Sequence, residues 1–130
     1  MLSRSQLIAL SNFRFNIAKF QRFSTTASRR DGLTQIQYLM LLHIAGHRER
    51  EWSTVGELAE RLQASPHGTA ALVNRGVSLG LVAKQRNPDD ARCVEVHLTP
   101  KGRRLVNRIA QRHRDELQSL REVFRVAEVN

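Results

Sequence analysis

The sequence predicts a mainly α-helical fold with a small antiparallel β-wing: a winged helix-turn-helix head, paired with a second copy into a dimer. Three observations lead there. Residues Thr54–Gly102 spell, in order, helix, tight turn, helix, strand, acidic-basic turn, strand and the start of another helix. The flanking segments carry apolar residues at helical spacing, which suits helices that join two heads. The chain is strongly basic, with 21 Lys and Arg against 12 Asp and Glu, a net of +9. Such a balance suits a polyanion binder, because phosphate neutralisation and counterion release drive affinity.

The first helix is expected over residues 4–24. Leu10, Phe13, Ile17 and Phe20 form one stripe at spacings of three and four, while Ile8 and Phe15 lie on another side. A helix apolar on two sides is deeply buried or shared between its own core and a partner. Residues 1–30 hold six basic residues and no acid, a composition also found in transit leaders. The stripe assigns them instead to a structural helix. Residues 25–31 (TTASRRD) are small, polar and non-periodic, and read as a connector.

Thr34 can cap a second helix over Gln35–Ala45, with Ile36, Leu39, Met40, Leu42 and His43 toward the inside or its edge. Gly46 ends it. A charged loop, HREREW, follows, and Trp52 and Ser53 suit a short strand.

Thr54 and Glu57 fit a capping box that opens the third helix, whose buried face is Val55, Leu58, Ala59 and Leu62. Gln63 and Ala64 make the turn. Ser65 caps a fourth helix, with Pro66 at its first position, where a missing N–H costs nothing. That helix runs to about Leu79. Leu72, Val73 and Leu79 are expected inside, and His67, Gly68, Thr69, Ala71, Asn74 and Arg75 outside. Gly80 is the left-handed stop.

Leu81–Arg86 reads as a strand, Asn87–Asp90 as a turn and Cys93–Leu98 as a second strand. Val94, Val96 and Leu98 share one face; Cys93, Glu95 and His97 share the other, expected to be a solvated edge. Thr99 and Pro100 start the last helix, with a stripe of Leu105, Val106, Ile109, His113, Leu117, Leu120, Phe124 and Ala127. The organisation is therefore an N-terminal dimerisation helix and connector at 1–32, a winged head at 33–99, and a C-terminal dimerisation helix at 100–130.

The length of 130 residues suits one domain. The single cysteine, Cys93, rules out an internal disulfide framework and makes a reducing, cytoplasmic setting the expectation. No apolar run approaches the ~20 residues of a membrane span. No nucleophile elbow, phosphate loop or metal-binding helix motif occurs, so neither an enzyme nor a cofactor or metal is expected. His43, His47, His67, His97 and His113 are scattered. Cys93, Glu95 and His97 read as a solvated face rather than a metal site. His113, on the apolar stripe, reads as a satisfied interface histidine.

The DNA-reading chemistry falls on two elements. A helix fits the major groove, and its first turns reach base edges. This assigns Ser65, His67, Gly68, Thr69, Asn74 and Arg75 as contacts: Asn can pair with adenine, and Arg can grip guanine. Arg92 at the hairpin tip can enter a narrow minor groove, where negative potential is strongest. Asp90 can pair with it and fix its aim. Lys84 and Arg86 are candidate phosphate contacts.

Several of these segments resemble the MarR family of transcriptional regulators. They are Leu58-Ala59-Glu60-Arg61-Leu62, Leu72-Val73-Asn74-Arg75, Gly80-Leu81-Val82, Asp90-Ala91-Arg92 and Leu98-Thr99-Pro100-Lys101-Gly102. Gly32-Leu33-Thr34 and Gln37-Tyr38 add to the likeness, which covers about residues 33–105. The Asp-x-Arg wing followed by Leu-Thr-x-Lys-Gly is its most specific part. The resemblance implies a homodimer joined by the first and last helices, reading near-palindromic double-stranded DNA as a repressor. It also implies release from DNA on binding a small aromatic or phenolic effector, or on thiol oxidation, for which Cys93 is the redox candidate. Three features depart from the pattern. Ala70 and Ala71 replace a Thr and a basic residue, His67-Gly68 replaces small hydroxyl residues, and Gly76 stands where a core Leu is usual. An alternative function follows from the weakened recognition helix: a winged-helix dimer that binds a protein partner, with weak or no DNA binding.

Overall fold

The computed structural model describes the backbone of residues 1–123 and side-chain surroundings as far as residue 114. The elements run α1 (Arg4–Arg30), α2 (Gln35–Ala45), β1 (Trp52–Ser53), α3 (Val55–Leu62), α4 (Pro66–Ser78), β2 (Val82–Arg86), β3 (Val94–Leu98) and α5 (Pro100–Val123). The strands form one antiparallel sheet in the order β1-β3-β2. This is the helix-turn-helix and wing read from the sequence.

Short polar side chains start the helices. Ser3, Thr34 and Thr54 each accept from the backbone N–H three residues on, and Gln6, Gln37 and Glu57 each accept the cap residue's own N–H. Each pair satisfies two donors that a helix start leaves free. Ser65 caps α4 through a 3.0 Å bond from the Gly68 N–H, with Pro66 beginning the helix.

α2 is the hub. It touches α1, α3, α4, α5, β1 and β3, which is why its apolar residues surround the axis instead of lining one stripe. Met40, Leu41 and Ile44 are fully buried and Tyr38 nearly so, whereas Ile36, expected inside, is 44% exposed. Its core partners include Leu58, Val73, Leu81, Val96, Val106 and Ile109.

Four further expectations are corrected. The connector at 25–31 is helical as far as Arg30. Ser24, Ala27 and Ser28 are buried there, and the Ser28 hydroxyl returns to the Ser24 carbonyl at 2.8 Å. Small residues thus serve close packing rather than a loop. β3 is the central strand, and Glu95 on it is buried, not solvated. His113 is buried in its own chain and only half satisfied. Its Nδ1 donates to the Ile109 carbonyl at 2.8 Å, while Nε2 has no partner among the described residues. Thr69, expected outside, is 1% exposed. The stripe positions Leu117, Leu120, Phe124 and Ala127 lie outside the residues whose side chains are described.

Gly76 is buried, and the space a core Leu would fill is closed. A Cβ there would lie 2.9 Å from Met40 Cε and 3.1 Å from Val82 Cγ2. The flexible Met40 side chain occupies the volume, so no cavity cost arises.

The end of α4, the start of β2 and the start of α5 meet in one knot. Gly80 has φ +74°, and the Leu81 N–H bonds the Gly76 carbonyl at 2.9 Å, the bond that closes a left-handed helix end. Thr99 then covers the exposed carbonyls. Its hydroxyl lies 2.6 Å from the Gly80 oxygen and 3.1 Å from that of Leu81, and its N–H donates to Leu81 at 3.1 Å. Lys101 Nζ donates to the Leu79 carbonyl at 3.0 Å. Gly102 is pressed against the same strand: a Cβ would fall 2.1 Å from the Leu81 oxygen.

A second tie joins α1 to α5. The Asp31 carboxylate is 6% exposed and pairs with Arg112 and, at 3.3 Å, with Arg108. Arg112 also donates to the Ala27 carbonyl at 3.2 Å. Burial raises the Asp31 pKa, but the hydrogen bonds and charges of Arg112 and Arg108 outweigh it, and the net shift is downward.

Two measurements check these ties. Gly102→Ala lowers stability by about 1–3 kcal/mol, read from denaturant unfolding, because backbone must move to admit the methyl. Asp31→Asn lowers stability by about 2 kcal/mol at neutral pH. A lowered pKa stabilises above the ordinary carboxylate range, and that gain disappears as pH falls through the lowered value. The gap between wild type and Asp31→Asn is therefore widest at neutral pH and narrows in acid. A gap that does not change with pH would show that the pair does not stabilise the fold.

Candidate nucleic-acid interface

The turn between α3 and α4 places α4 on the surface. Gln63 sits in the left-handed region at φ 52°, with its side-chain amide bonded to the Glu60 carbonyl at 2.7 Å. This local bond offsets the strain of a non-glycine residue there. Glu57 supports the start of α3 from outside. It accepts from Thr54, pairs with Arg50 at 2.8 Å and with His47 at 2.8 Å. Burial raises its pKa, but the bonds from His47 and Thr54 and the Arg50 charge bring it below its ordinary value. Arg50 also lies over the Trp52 ring at 3.7 Å, a cation–π contact.

On α4, Ser65, His67, Gly68, Asn74 and Arg75 are exposed and share the solvent side of the helix. Thr69 is not among them. Its hydroxyl donates to the Ser65 carbonyl at 2.8 Å and its side chain packs inward, so it holds the first turn and offers nothing outward. With Ala71 also exposed, the outward surface of α4 is low and carries few long polar side chains.

The hairpin β2–β3 leaves the core progressively. Val82 pairs with Leu98, Lys84 with Val96 and Arg86 with Val94. Val82, Lys84 and Arg86 alternate onto one face; Val82 is buried at the base, and Lys84 and Arg86 are exposed toward the tip. At the tip the Asp90 carboxylate accepts from the Arg92 N–H at 3.0 Å and lies 3.5 Å from its Nε. The Arg92 side chain is 95% exposed. An exposed pair of this kind adds little stability; its effect is on aim. Cys93, beside it, is half-buried.

The sequence reading missed the polar supports beneath these residues. Glu95 bonds Asn87 and His97; Glu57 bonds His47 and Arg50. Each is a carboxylate amid donors, but the partners are 2 to 10 residues apart and match no fixed spacing. A groove of about 920 Å³ between α2 and α3 is lined by His43, His47, Arg48, Glu57, Glu60 and Arg61 among others. Burial and the Arg61 charge lower the His43 pKa. No residue of α4 or the wing lines this groove, and its walls carry both signs of charge. Among the described residues no group of three or more His, Cys, Asp or Glu is placed to hold a metal ion. No described helix is long and apolar enough to cross a membrane.

Comparison with known proteins gives the same architecture. A MarR family protein from Bacillus stearothermophilus superposes with a TM-score of 0.78 at 22% identity, over 95% of this chain and 85% of that one. AbsC, a MarR family transcriptional regulator from Streptomyces coelicolor, gives 0.77 at 19% identity, over 95% and 81%. A variant of S. aureus MepR, solved bound to an oligodeoxyribonucleotide, gives 0.69 at 19% identity, over 94% and 84%. In sequence, the chain is 29% identical over 76 residues to the uncharacterized HTH-type transcriptional regulator YsmB of Bacillus subtilis (strain 168). That match spans 58% of this chain and 52% of YsmB, about half the relative's length. The MarR family model matches residues 31–92, from the end of α1 to the wing-tip arginine. Fold, sequence motifs and family model agree in what the chain resembles, the MarR family.

Proposed function

We propose that this protein is a sequence-specific DNA-binding transcriptional regulator, acting as a repressor and without a catalytic step. In this reading a homodimer spans near-palindromic duplex DNA, with each α4 in the major groove and each wing in the flanking minor groove. The observation that carries the reading is the wing tip. Arg92 projects almost wholly into solvent while Asp90 holds its base, and Lys84 and Arg86 follow behind on one face. A cation so placed suits the minor groove and the adjacent phosphates. Asn74 and Arg75 serve base edges from α4, and Ser65, His67 and Gly68 lie at its start. The MepR variant bound to an oligodeoxyribonucleotide shares the fold, which adds support.

The dimer part rests on α1. Leu7, Ile8, Leu10 and Phe15 are 38–61% exposed there, an apolar surface that a second copy would cover. An aromatic or phenolic effector also belongs to this reading. Its support is the ring cluster at the junction of α1, α2 and α5. Tyr38 stacks on His113 at 5.1 Å, and Phe20 and Phe23 approach it edge-on. In the neutral ring with Nδ1 donating, Nε2, which has no partner among the described residues, would accept from a phenol hydroxyl.

In a mobility-shift assay with its own upstream region, the protein retards DNA, and log affinity falls linearly with log salt. No retardation at low salt would sink the regulator reading and favour a protein-binding module. Arg92→Ala weakens that binding about tenfold or more, by loss of roughly 1–3 kcal/mol per contact. The same variant keeps the helical circular dichroism and the mass in solution. Unchanged affinity would remove Arg92 from the interface.

A further inference from the structure

We infer that Glu95 is the positioning residue of the wing: its buried carboxylate orients the Asn87 carboxamide that shapes the turn carrying Arg92. The turn from Asn87 to Cys93 is bounded by two backbone bonds, Asn87 N–H to the Cys93 carbonyl and Cys93 N–H to the Asp90 carbonyl, both 2.9 Å. Inside it, Asn87 Oδ1 accepts from the N–H groups of Asp89 and Asp90 at 2.9 and 3.1 Å. Asp90 in turn accepts from the Arg92 N–H. The turn therefore depends on which end of the Asn87 amide faces it. An amide can flip, presenting donors instead of an acceptor, and the backbone N–H groups would then lose their partner.

Glu95 decides that choice. Its Oε2 accepts from Asn87 Nδ2 at 2.8 Å, and an ionised carboxylate can only accept. The NH₂ must point at Glu95 and the oxygen at the turn. Glu95 is itself fixed. It is 6% exposed, and its other oxygen accepts from His97 Nε2 at 2.7 Å. His97 lies against Trp52, whose ring also contacts Arg50. A buried carboxylate with so few donors is costly unless it is used. The chain of contacts runs from β1, through the centre of the sheet, to the hairpin tip.

The DNA-binding consequence rests on the proposed role of Arg92; the turn itself does not. Two measurements separate them. Solvent exchange of the Asn87 carboxamide and of the Asp89 and Asp90 amides, followed by NMR, is expected to quicken about tenfold in Glu95→Ala. Glu95→Gln, which keeps an acceptor for Asn87, restores slow exchange. Unchanged exchange in Glu95→Ala overturns the inference. For DNA, Glu95→Ala is placed in a cycle with Arg92→Ala. Glu95→Ala weakens binding about tenfold when Arg92 is present and has little effect when Arg92 is already Ala. Equal losses in both backgrounds overturn the positioning role even if exchange changes. Faster exchange together with an Arg92→Ala variant that binds normally leaves the turn assignment standing and removes only the minor-groove role. If Glu95→Ala fails to fold by circular dichroism, Glu95→Met, which fills the volume without offering a carboxylate acceptor, takes its place in both measurements.

Discussion

Three consecutive carbonyls, those of Leu79, Gly80 and Leu81, lead from α4 to β2, and all three are satisfied by two residues at the start of α5, Thr99 and Lys101. The head depends on this knot. A helix end must place its free carbonyls somewhere, and here they are spent on holding a second helix. Thr99 supplies the backbone and hydroxyl donors and caps α5 through the Gly102 N–H at 3.0 Å. Gly102 is needed because α5 comes so close that the Leu81 oxygen occupies the place of a Cβ. The Leu-Thr-x-Lys-Gly segment is thus a joint: α4, the wing and α5 are held as one piece. Any displacement of α5 would be felt by both elements proposed to meet DNA.

Charge is used in the same economical way. Asp31 gathers Arg108 and Arg112 where α1 ends, so the first and last helices are tied beside the head. Glu57 caps α3 and also holds His47 and Arg50. Glu95 sits at the centre of the sheet between His97 and Asn87. Asp31 and Glu95 are shielded enough for their bonds to fix geometry, unlike the exposed Asp90–Arg92 pair.

The two halves of the proposed interface differ in character. α4 offers a low surface, with Gly68 and Ala71 outside and Thr69 turned in. Its inner side accepts Gly76 because Met40 fills the gap. The hairpin offers long cations on a braced turn. Under the proposed function, base reading from α4 would fall to Asn74 and Arg75, and positioning to the wing.

The order of elements, the helix starts at Thr34, Thr54, Ser65 and Thr99, the left-handed Gly80 and the exposed Arg92 were all legible in the sequence. Caps, turns and periodic stripes are local, and their chemistry lies within four residues. What tertiary structure decided was contact between distant residues. Residues 25–30 became helix because small side chains there pack closely, which no local pattern signals. Thr69 turned inward, with its hydroxyl on the Ser65 carbonyl, and Ile36, in the first turn of α2, was left outside. Glu95 was buried where Asn87, from the turn, and His97 bond its two oxygens. An alternating strand looks the same at an edge or in the middle of a sheet. Only what packs over each face settles which one meets water.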